Sequence, residues 1–213
     1  MNDELEFTRG YVDPTLQAEF PELALVYTEV PVRPGRSPAA VRARLRTASD
    51  RFTGAKAVTL RQQPIPWAYR VFFRHVGIDP DERRTPIEAI ALERMRAGGF
   101  LSRNLVDDAL LLATLETGVP VLAFDAEAVG GELGLRVSAG GESLGDVPVS
   151  AGQLLVAGAT RPLAVLFGET ADGCGVQWSS ERMVLAGVQV KGVPDVSVEE
   201  ALWVAAETVN EGA

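Results

Sequence analysis

Residues 95–125, MRAGGFLSRNLVDDALLLATLETGVPVLAFD, constrain the fold more than any other stretch of the chain. Two adjacent glycines end one helix, and Asn104 can cap the next helix by accepting a hydrogen bond from a first-turn amide. That helix is apolar around much of its circumference, and after Gly118 a tight turn leads into an apolar strand that ends at Asp125. Such a helix is expected in the middle of a fold, because it has little polar surface to offer water.

The hydrophobic pattern of the whole chain predicts helices mainly in the first half and strands mainly in the second. Predicted helices span residues 38–52, 66–76, 86–97, 105–117 and 197–209. Predicted strands span residues 23–30, 119–124, 133–137, 153–157, 163–167 and 183–190. The expected helix caps are Ser37, the capping box of Thr85 with Glu88, and the capping box of Ser197 with Glu200. Because helices and strands do not alternate regularly, the pattern predicts an α+β domain with helices packed on a mixed, largely antiparallel sheet.

The chain is expected to form one domain with a short N-terminal extension. Residues 1–22 are polar and contain Pro14 and Pro21, so we interpret them as an extension or a loosely packed arm. Residues 23–213 are long enough and apolar enough to bury a sizeable core. The chain has no apolar run of about 18 residues, and its first thirty residues are acidic. A membrane span and a secretory signal are therefore not expected, and the predicted location is the cytoplasm.

Positive charge is concentrated in residues 33–103, which hold 15 Arg or Lys against 6 Asp or Glu, although the whole chain carries a net charge of −9. The overall negative charge argues against DNA as a partner, because nonspecific binding to DNA depends on many cationic contacts with phosphates. The basic segment is nevertheless sufficient for a local basic face. Arginines outnumber lysines 18 to 2, so a genomic coding bias, with arginines simply solvated on helix faces, remains the alternative.

No motif of a common catalytic or metal site is present in the sequence. The single histidine, His75, lies near a predicted helix end, and the single cysteine, Cys174, has no activating neighbour in sequence. The usual Cys and His spacings of a zinc site are missing, so neither a metal nor another cofactor is expected. Asp107 and Asp108 are adjacent on a helix and point about 100° apart, which suits helix capping better than shared acid and base chemistry.

Five motifs follow one another in an informative order: RTPIEAI, the N-x-x-x-D of Asn104 and Asp108, ETGVPVLAFD, ELGLRVSAGGE and RPLAVLFGE. Their order and spacing resemble the B-three/four domain of the bacterial phenylalanyl-tRNA synthetase beta subunit and its free-standing relatives. The resemblance is firmest over residues 67–190. It implies an α+β fold, and in the synthetase this domain carries an editing site that hydrolyses tyrosine wrongly attached to the phenylalanine tRNA.

The resemblance also implies where an editing pocket would lie, and most polar members of that pocket are apolar here. The family's Thr-Asn pair falls at Leu110 and Leu111, its histidine at Leu122 and its glutamate at Ala186, while its proline is kept as Pro120. A site built to hydrogen-bond a phenol loses its discrimination without those donors and acceptors. The chain is therefore not expected to edit tyrosyl-tRNA by the synthetase mechanism. The full set of pocket candidates is Asn104, Asp108, Leu110, Leu111, Pro120, Leu122, Glu169 and Ala186.

The sequence is compatible with three functions. The first is an RNA- or aminoacyl-tRNA-associated module of translation, either non-catalytic or hydrolysing a different aminoacyl ester. Its phosphate contacts would come from arginines one helical turn apart, namely Arg42 with Arg46 and Arg70 with Arg74. The second is a non-catalytic binding protein for a small apolar metabolite or amino acid, which requires an open pocket at the leucines. The third is a protein-assembly module, which is expected if those leucines interdigitate and fill the pocket.

Overall fold

A computed structural model of the chain describes residues 5–211. Its helices are α1 (Pro14–Glu19), α2 (Ala39–Arg51), α3 (Gly54–Thr59), α4 (Pro64–His75), α5 (Pro86–Ala97), α6 (Leu105–Thr117), α7 (Ala126–Val129) and α8 (Asp195–Asn210). Its strands are β1 (Thr8–Arg9), β2 (Tyr11–Val12), β3 (Ala24–Pro31), β4 (Val121–Asp125), β5 (Gly134–Val137), β6 (Ser143–Leu144), β7 (Val147–Pro148), β8 (Leu154–Ala157), β9 (Pro162–Val165) and β10 (Arg182–Gln189). This content confirms the predicted α+β fold class.

The strands form two four-stranded sheets and a small hairpin. One sheet has the order β1-β3-β10-β4 with antiparallel neighbours throughout, and β10 is long and almost fully buried at its centre. The other sheet has the order β2-β5-β8-β9, in which only β2 and β5 run parallel. Strands β6 and β7 pair with each other. The predicted mixed, largely antiparallel arrangement is therefore confirmed.

Helix α6 lies in the middle of the helical layer, as its apolar sequence predicted. It packs against α8 on one side and α2 on another, and its residues Leu105, Ala109 and Leu112 are buried. Helix α8 in turn lies close against β10. A Cβ atom at Gly187 would come within 2.7 Å of a methyl carbon of Val198, so this close approach of helix and strand requires glycine.

Two of the predicted helix starts are confirmed. Thr85 and Glu88 form the capping box of α5, and the side chain of Asn104 accepts a hydrogen bond of 2.9 Å from the Asp107 amide at the start of α6. Helices α5 and α6 both end at glycines with positive φ, as the sequence indicated. These caps fix the ends of the two helices that border the candidate site.

Two other predicted caps are wrong. The Ser37 hydroxyl does not cap α2, whose cap residue is Pro38, and instead donates a charge-assisted hydrogen bond to the carboxylate of Asp108. Helix α8 begins at Asp195, two residues before Ser197, with Pro194 as its cap residue. The ring of Pro194 fixes its φ at a value that suits the extended backbone before a helix, and no side chain accepts from the first-turn amides of α8.

The N-terminal segment is not a loosely packed arm over the residues that the structure describes. Strand β1 pairs with β3, β2 pairs with β5, and Leu16 of α1 is buried. Gly134 is also required by this segment, because a Cβ there would overlap the Tyr11 ring at 2.3 Å. The first four residues of the predicted extension lie outside the described residues, and a domain spanning residues 23–213 stays a prediction. None of the helices within residues 5–211 has the length and apolarity needed to cross a bilayer.

Glu142 lies in the loop after β5 and forms an acid-sensitive ion pair with Arg136. Its two carboxylate oxygens accept from both terminal nitrogens of Arg136 at 2.9 and 2.5 Å. The Arg136 guanidinium, assisted by the Ala139 amide, holds the pKa of Glu142 below its ordinary range. Since this pKa is depressed in the folded state, the stabilisation is present at neutral pH and is lost as the pH falls below about 4.3.

Glu142→Gln is expected to destabilise the fold at pH 7 by about 1 kcal/mol, because the pair is partly buried and bidentate. The variant should also lose less of its remaining stability than the wild type between pH 5 and about pH 3. Urea unfolding at several pH values measures both effects, with the exposed Glu132→Gln as the control. Parallel stability-versus-pH curves for wild type and Glu142→Gln would contradict the assignment.

Candidate functional site

An open cleft of about 410 Å³ lies between α5, α6 and the beginning of β4. One wall is the outer face of α5, the opposite wall is α6 with β4, and the loop after β9 closes one end. Its floor is apolar. The floor residues are Phe100, Leu110, Leu111, Pro120, Val121, Leu122 and Phe167.

The leucines reach the cleft because of where they fall on their elements. Helix α6 uses the face of Ala109 and Leu112 for the core, so Leu110 and Leu111 lie on its half-buried side. Leu122 lies on β4, which is the edge strand of its sheet. The turn between α6 and β4 places Pro120 at the floor. The sequence thus brings these four predicted residues together in one cleft, and they do not interdigitate.

The charged residues that line the cleft are balanced, because Arg84, Arg94 and Arg103 are matched in number by Glu93, Asp107 and Asp108. Arg103 forms an ion pair of 2.6 Å with Glu93, so these two side chains neutralise each other. Arg84 and Arg94 have no carboxylate within 4.0 Å among the residues that the structure describes. Arg94 donates to the backbone oxygen of Ser49, which holds its guanidinium in place. Arg84 and Arg94 therefore supply local positive charge at the rim, although Asp107 lines the same cleft without a cationic partner among the described residues.

Phe167 closes one end of the cleft in a strained backbone conformation. Its φ of 54° lies in the left-handed region, which is costly for a residue with a side chain by about 1–3 kcal/mol. The ring stacks on Phe73 with centroids 5.5 Å apart and meets Tyr69 edge-on, and the Arg83 guanidinium donates to its carbonyl oxygen. These contacts hold Phe167 in place, and its ring separates the cleft from a smaller cavity of about 110 Å³.

Asp108 is buried beside the cleft and is fully occupied by hydrogen bonds within the protein. One carboxylate oxygen accepts from the hydroxyls of Ser37 and Ser102, each at 2.5 Å, and the other accepts from the Arg103 amide at 2.9 Å. These donors come from the loop before α2 and from the loop between α5 and α6. Asp108 therefore ties three segments together and is positioned for structure rather than for acid or base chemistry.

A second cavity of about 350 Å³ adjoins the cleft and shares part of its wall, including Leu110 and Leu122. Asn104 lies in this second cavity and not in the cleft. Its side-chain amide is occupied at both ends, because it accepts from the Asp107 amide and donates to the Asp107 carboxylate. Trp178 lies at the far side of the same cavity.

Two predicted pocket residues lie elsewhere. Ala186 is fully buried in β10, in register with Leu122 on one side and Tyr27 on the other. Glu169 is exposed in the turn after β9, where its backbone oxygen accepts from the Val165 amide. The chain neighbour of Glu169, Gly168, lines the cleft, but Glu169 itself is not part of the lining.

The four predicted RNA-contacting arginines do not form one surface group. Arg46 is exposed and Arg42 half-buried on α2, whereas Arg74 is exposed on α4, where it lies over the Trp67 ring. The prediction that Arg70 contacts RNA is wrong. Arg70 is only 3% exposed, and its guanidinium donates to Asp81 and Glu88 at 2.7 and 2.6 Å. A guanidinium buried against two carboxylates is not available to a phosphate.

Most polar groups that line the cleft are engaged within the protein. Among the described residues that line it there is no His, Cys, Ser or Lys, and the one hydroxyl, that of Thr114, donates to the backbone of its own helix. Asp108 is saturated by its donors. Cys174 is buried away from the cleft, and burial raises the pKa of its thiol, which disfavours the reactive thiolate. The arrangement therefore suits the binding of an apolar group.

Sequence reasoning missed the arginine rim, the strained Phe167 and the exposed Trp178. Arg84 begins the RTPIEAI motif and Arg94 lies ten positions on, so their positions before α5 and in its last turn were visible in the sequence. The sequence did not show that α5 faces α6 across a cleft. The φ of Phe167 had no signal, because this backbone conformation is normally found at glycine.

Comparisons with known proteins agree with the resemblance over part of the chain. No family model matches the sequence. The phenylalanine–tRNA ligase beta subunits of two Legionella pneumophila strains, Lens and Paris, are each 35% identical to this chain over 89 residues. The matched segment is 39% of this chain but only 11% of each subunit. Part of the chain is therefore distantly related to that subunit, and the match concerns a small part of a much larger protein.

Proposed function

We propose that this chain is a tRNA-associated module whose cleft receives the aminoacyl end of a tRNA that carries an apolar group. The observation that supports the proposal most is the leucine-floored cleft itself, which lies where the resemblance to the synthetase domain implies an editing pocket. The similarity to the phenylalanine–tRNA ligase beta subunit supports tRNA as the partner. This role belongs to translation and would be carried out in the cytoplasm.

The chemistry of the cleft supports recognition without hydrolysis. Leu110, Leu111 and Leu122 offer apolar surface, which favours burial of an aliphatic or aromatic aminoacyl group. Arg84 and Arg94 offer positive charge at the rim, where the phosphates next to the aminoacyl ester would lie. Among the described lining residues there is no His, Cys, Ser or Lys, Glu93 is paired with Arg103, and Asp107 accepts from the Asn104 side chain. In this proposal the module therefore holds the ester instead of cleaving it.

Binding to aminoacyl-tRNA should weaken when the cleft is blocked. Ala89 lies on the exposed wall of α5, so Ala89→Trp fills the cleft without removing core packing. We expect it to weaken binding of tRNA charged with phenylalanine about tenfold, as measured by filter binding or fluorescence anisotropy. The control is Ala40→Trp, at an exposed position of α2 outside the cleft, which should bind like the wild type.

The same binding assay should show a clear salt dependence. The logarithm of the wild-type affinity should fall linearly with the logarithm of the salt concentration, because phosphate contacts release counterions. A slope near zero, or no detectable tRNA binding, would overturn the proposal. Deacylation of tyrosine-mischarged phenylalanine tRNA above a buffer control would overturn the absence of hydrolysis.

The second candidate is a binding protein for a small apolar metabolite or free amino acid. The volume of about 410 Å³ favours it, since small-molecule sites usually measure about 300–1,000 Å³. The cleft is also open. This argues against the protein-assembly module, which was expected only if the leucine side chains filled the pocket. Calorimetric titration with free phenylalanine and leucine in the absence of tRNA separates this candidate from the first, because only the metabolite-binding protein should bind them tightly.

A further inference from the structure

Trp178 is the most exposed large apolar side chain of the described residues, with 78% of its surface accessible. It lies in the loop between β9 and β10. Exposure of a whole indole is unfavourable unless the ring serves a contact, because tryptophan carries the largest apolar surface of any side chain.

The backbone under Trp178 is fixed. The Gln177 amide donates to the Ser180 hydroxyl oxygen at 2.9 Å, and the Ser180 amide donates back to the Gln177 carbonyl oxygen at 3.1 Å. The Ser180 hydroxyl in turn donates to the carboxylate of Asp125 at the end of β4. The adjoining part of the loop is tied to the same strand, because the Asp125 amide donates to the Cys174 carbonyl oxygen at 2.9 Å. The turn therefore fixes the backbone that carries the indole.

The indole borders a cavity that continues the cleft. This second cavity measures about 350 Å³, and Leu110 and Leu122 form a ridge shared by both spaces. Arg33 and Arg36 are exposed on either side of the residues 34–35 that line its wall. Neither arginine has a carboxylate within 4.0 Å among residues 5–211. An exposed aromatic ring in the wall of the cavity, and arginines adjacent in sequence to other wall residues, are groups that can bind a base and a phosphate.

We propose that Trp178 is the stacking platform for the terminal base of the tRNA 3′ end, a proposal that rests on the function proposed above. In an aminoacyl-tRNA the acyl group and the base are attached to the same ribose and project from it in different directions. Two contiguous cavities that share one ridge match this arrangement, with the acyl group in the leucine-floored cleft and the base against Trp178. Stacking on an indole also suits a terminal base, which has one free face.

Trp178→Ala tests the platform, with Trp203→Ala as the matched control because Trp203 is also exposed but lies on α8, away from both cavities. Trp178→Ala should bind intact tRNA about tenfold more weakly than the wild type, and Trp178→Phe should recover most of the loss. Trp203→Ala should bind like the wild type. A tRNA lacking its terminal adenosine should bind the wild type and Trp178→Ala equally weakly. Melting temperatures of the variants, expected to match the wild type, confirm that they fold.

The outcomes separate this inference from the function on which it rests. If the wild type binds tRNA and Trp178→Ala binds it equally well, Trp178 is not a stacking platform, and the proposed tRNA-associated function is unaffected. If the variant is defective only towards free AMP, the site takes a free nucleotide and the assignment to the 3′ end is overturned. If the wild type does not bind tRNA at all, both proposals fall.

Discussion

Asp108→Ala is expected to destabilise the fold by about 3 kcal/mol and to lower the melting temperature by roughly 6–12 °C. The carboxylate is only 1% exposed and accepts three hydrogen bonds from groups outside its own helix. Its removal leaves the hydroxyl of Ser37, which is also buried, without an acceptor. An unsatisfied buried donor costs more than the lost hydrogen bond alone. Urea unfolding monitored by circular dichroism measures the loss.

Asp107→Ala is the matched control for this prediction. Asp107 is the adjacent carboxylate of the same helix turn, but it is exposed, so its replacement should cost less than about 1 kcal/mol. Ser37→Ala combined with Asp108→Ala should cost less than the sum of the two single changes, since either one removes the same hydrogen bond. Equal losses of unfolding free energy for Asp107→Ala and Asp108→Ala would show that the hydrogen bonds by which Asp108 joins three segments contribute nothing to stability.

Arg70→Met should cost about 3 kcal/mol, because it removes one partner of a buried ion-pair group. Methionine can fill the space of the arginine stem, but Glu88 would keep a carboxylate of which only 12% is exposed and would lose its cation. Arg70 also holds the pKa of Asp81 below its ordinary range, mainly through its hydrogen bond. Carboxyl titration by NMR should therefore show the pKa of Asp81 rising in the variant.

The comparison for Arg70→Met is Arg74→Met, one turn further along α4. Arg74 is exposed, with Asp81 at 3.9 Å and the Trp67 ring beneath it, so its loss should cost less than about 1 kcal/mol. Arg70→Met should also leave the salt dependence of tRNA binding unchanged in the folded protein. A reduced salt slope for Arg70→Met would mean that this arginine contacts phosphate after all.

The helices and strands were predictable where local chemistry decides them. The capping box of Thr85, the Asn104 cap and the glycine stops are short-range features, and each lies where the sequence indicated. The N-terminal segment was harder, because the β1 and β2 strands are only two residues long and depend on partners far along the chain. Two residues carry no periodicity, so tertiary pairing alone defines such strands.

The candidate site was predictable in part. The leucines of α6 and β4 meet in one cleft because a short turn connects their two elements. Ala186 is in register with Leu122 in the sheet, but β10 is a central strand and the Ala186 side chain is fully buried, whereas Leu122 lies on the edge strand β4. Arg70 lies on α4 one turn before Arg74, as the helical spacing predicted, but it is buried. Spacing along one helix does not reveal which other elements cover a residue.

The central position of β10 has a consequence for how the chain folds during its synthesis. Strands β3 and β4 are both made long before β10, and both pair with it, as Val30 and Asp125 do with Met183. Until Met183 has left the ribosome, β4 lacks its sheet partner and the apolar helix α6 lacks α8, so the first half of the chain cannot complete its core. Such long-range pairing slows folding and leaves apolar surface unburied for seconds at ordinary rates of translation. Truncations that remove β10 should therefore aggregate instead of folding.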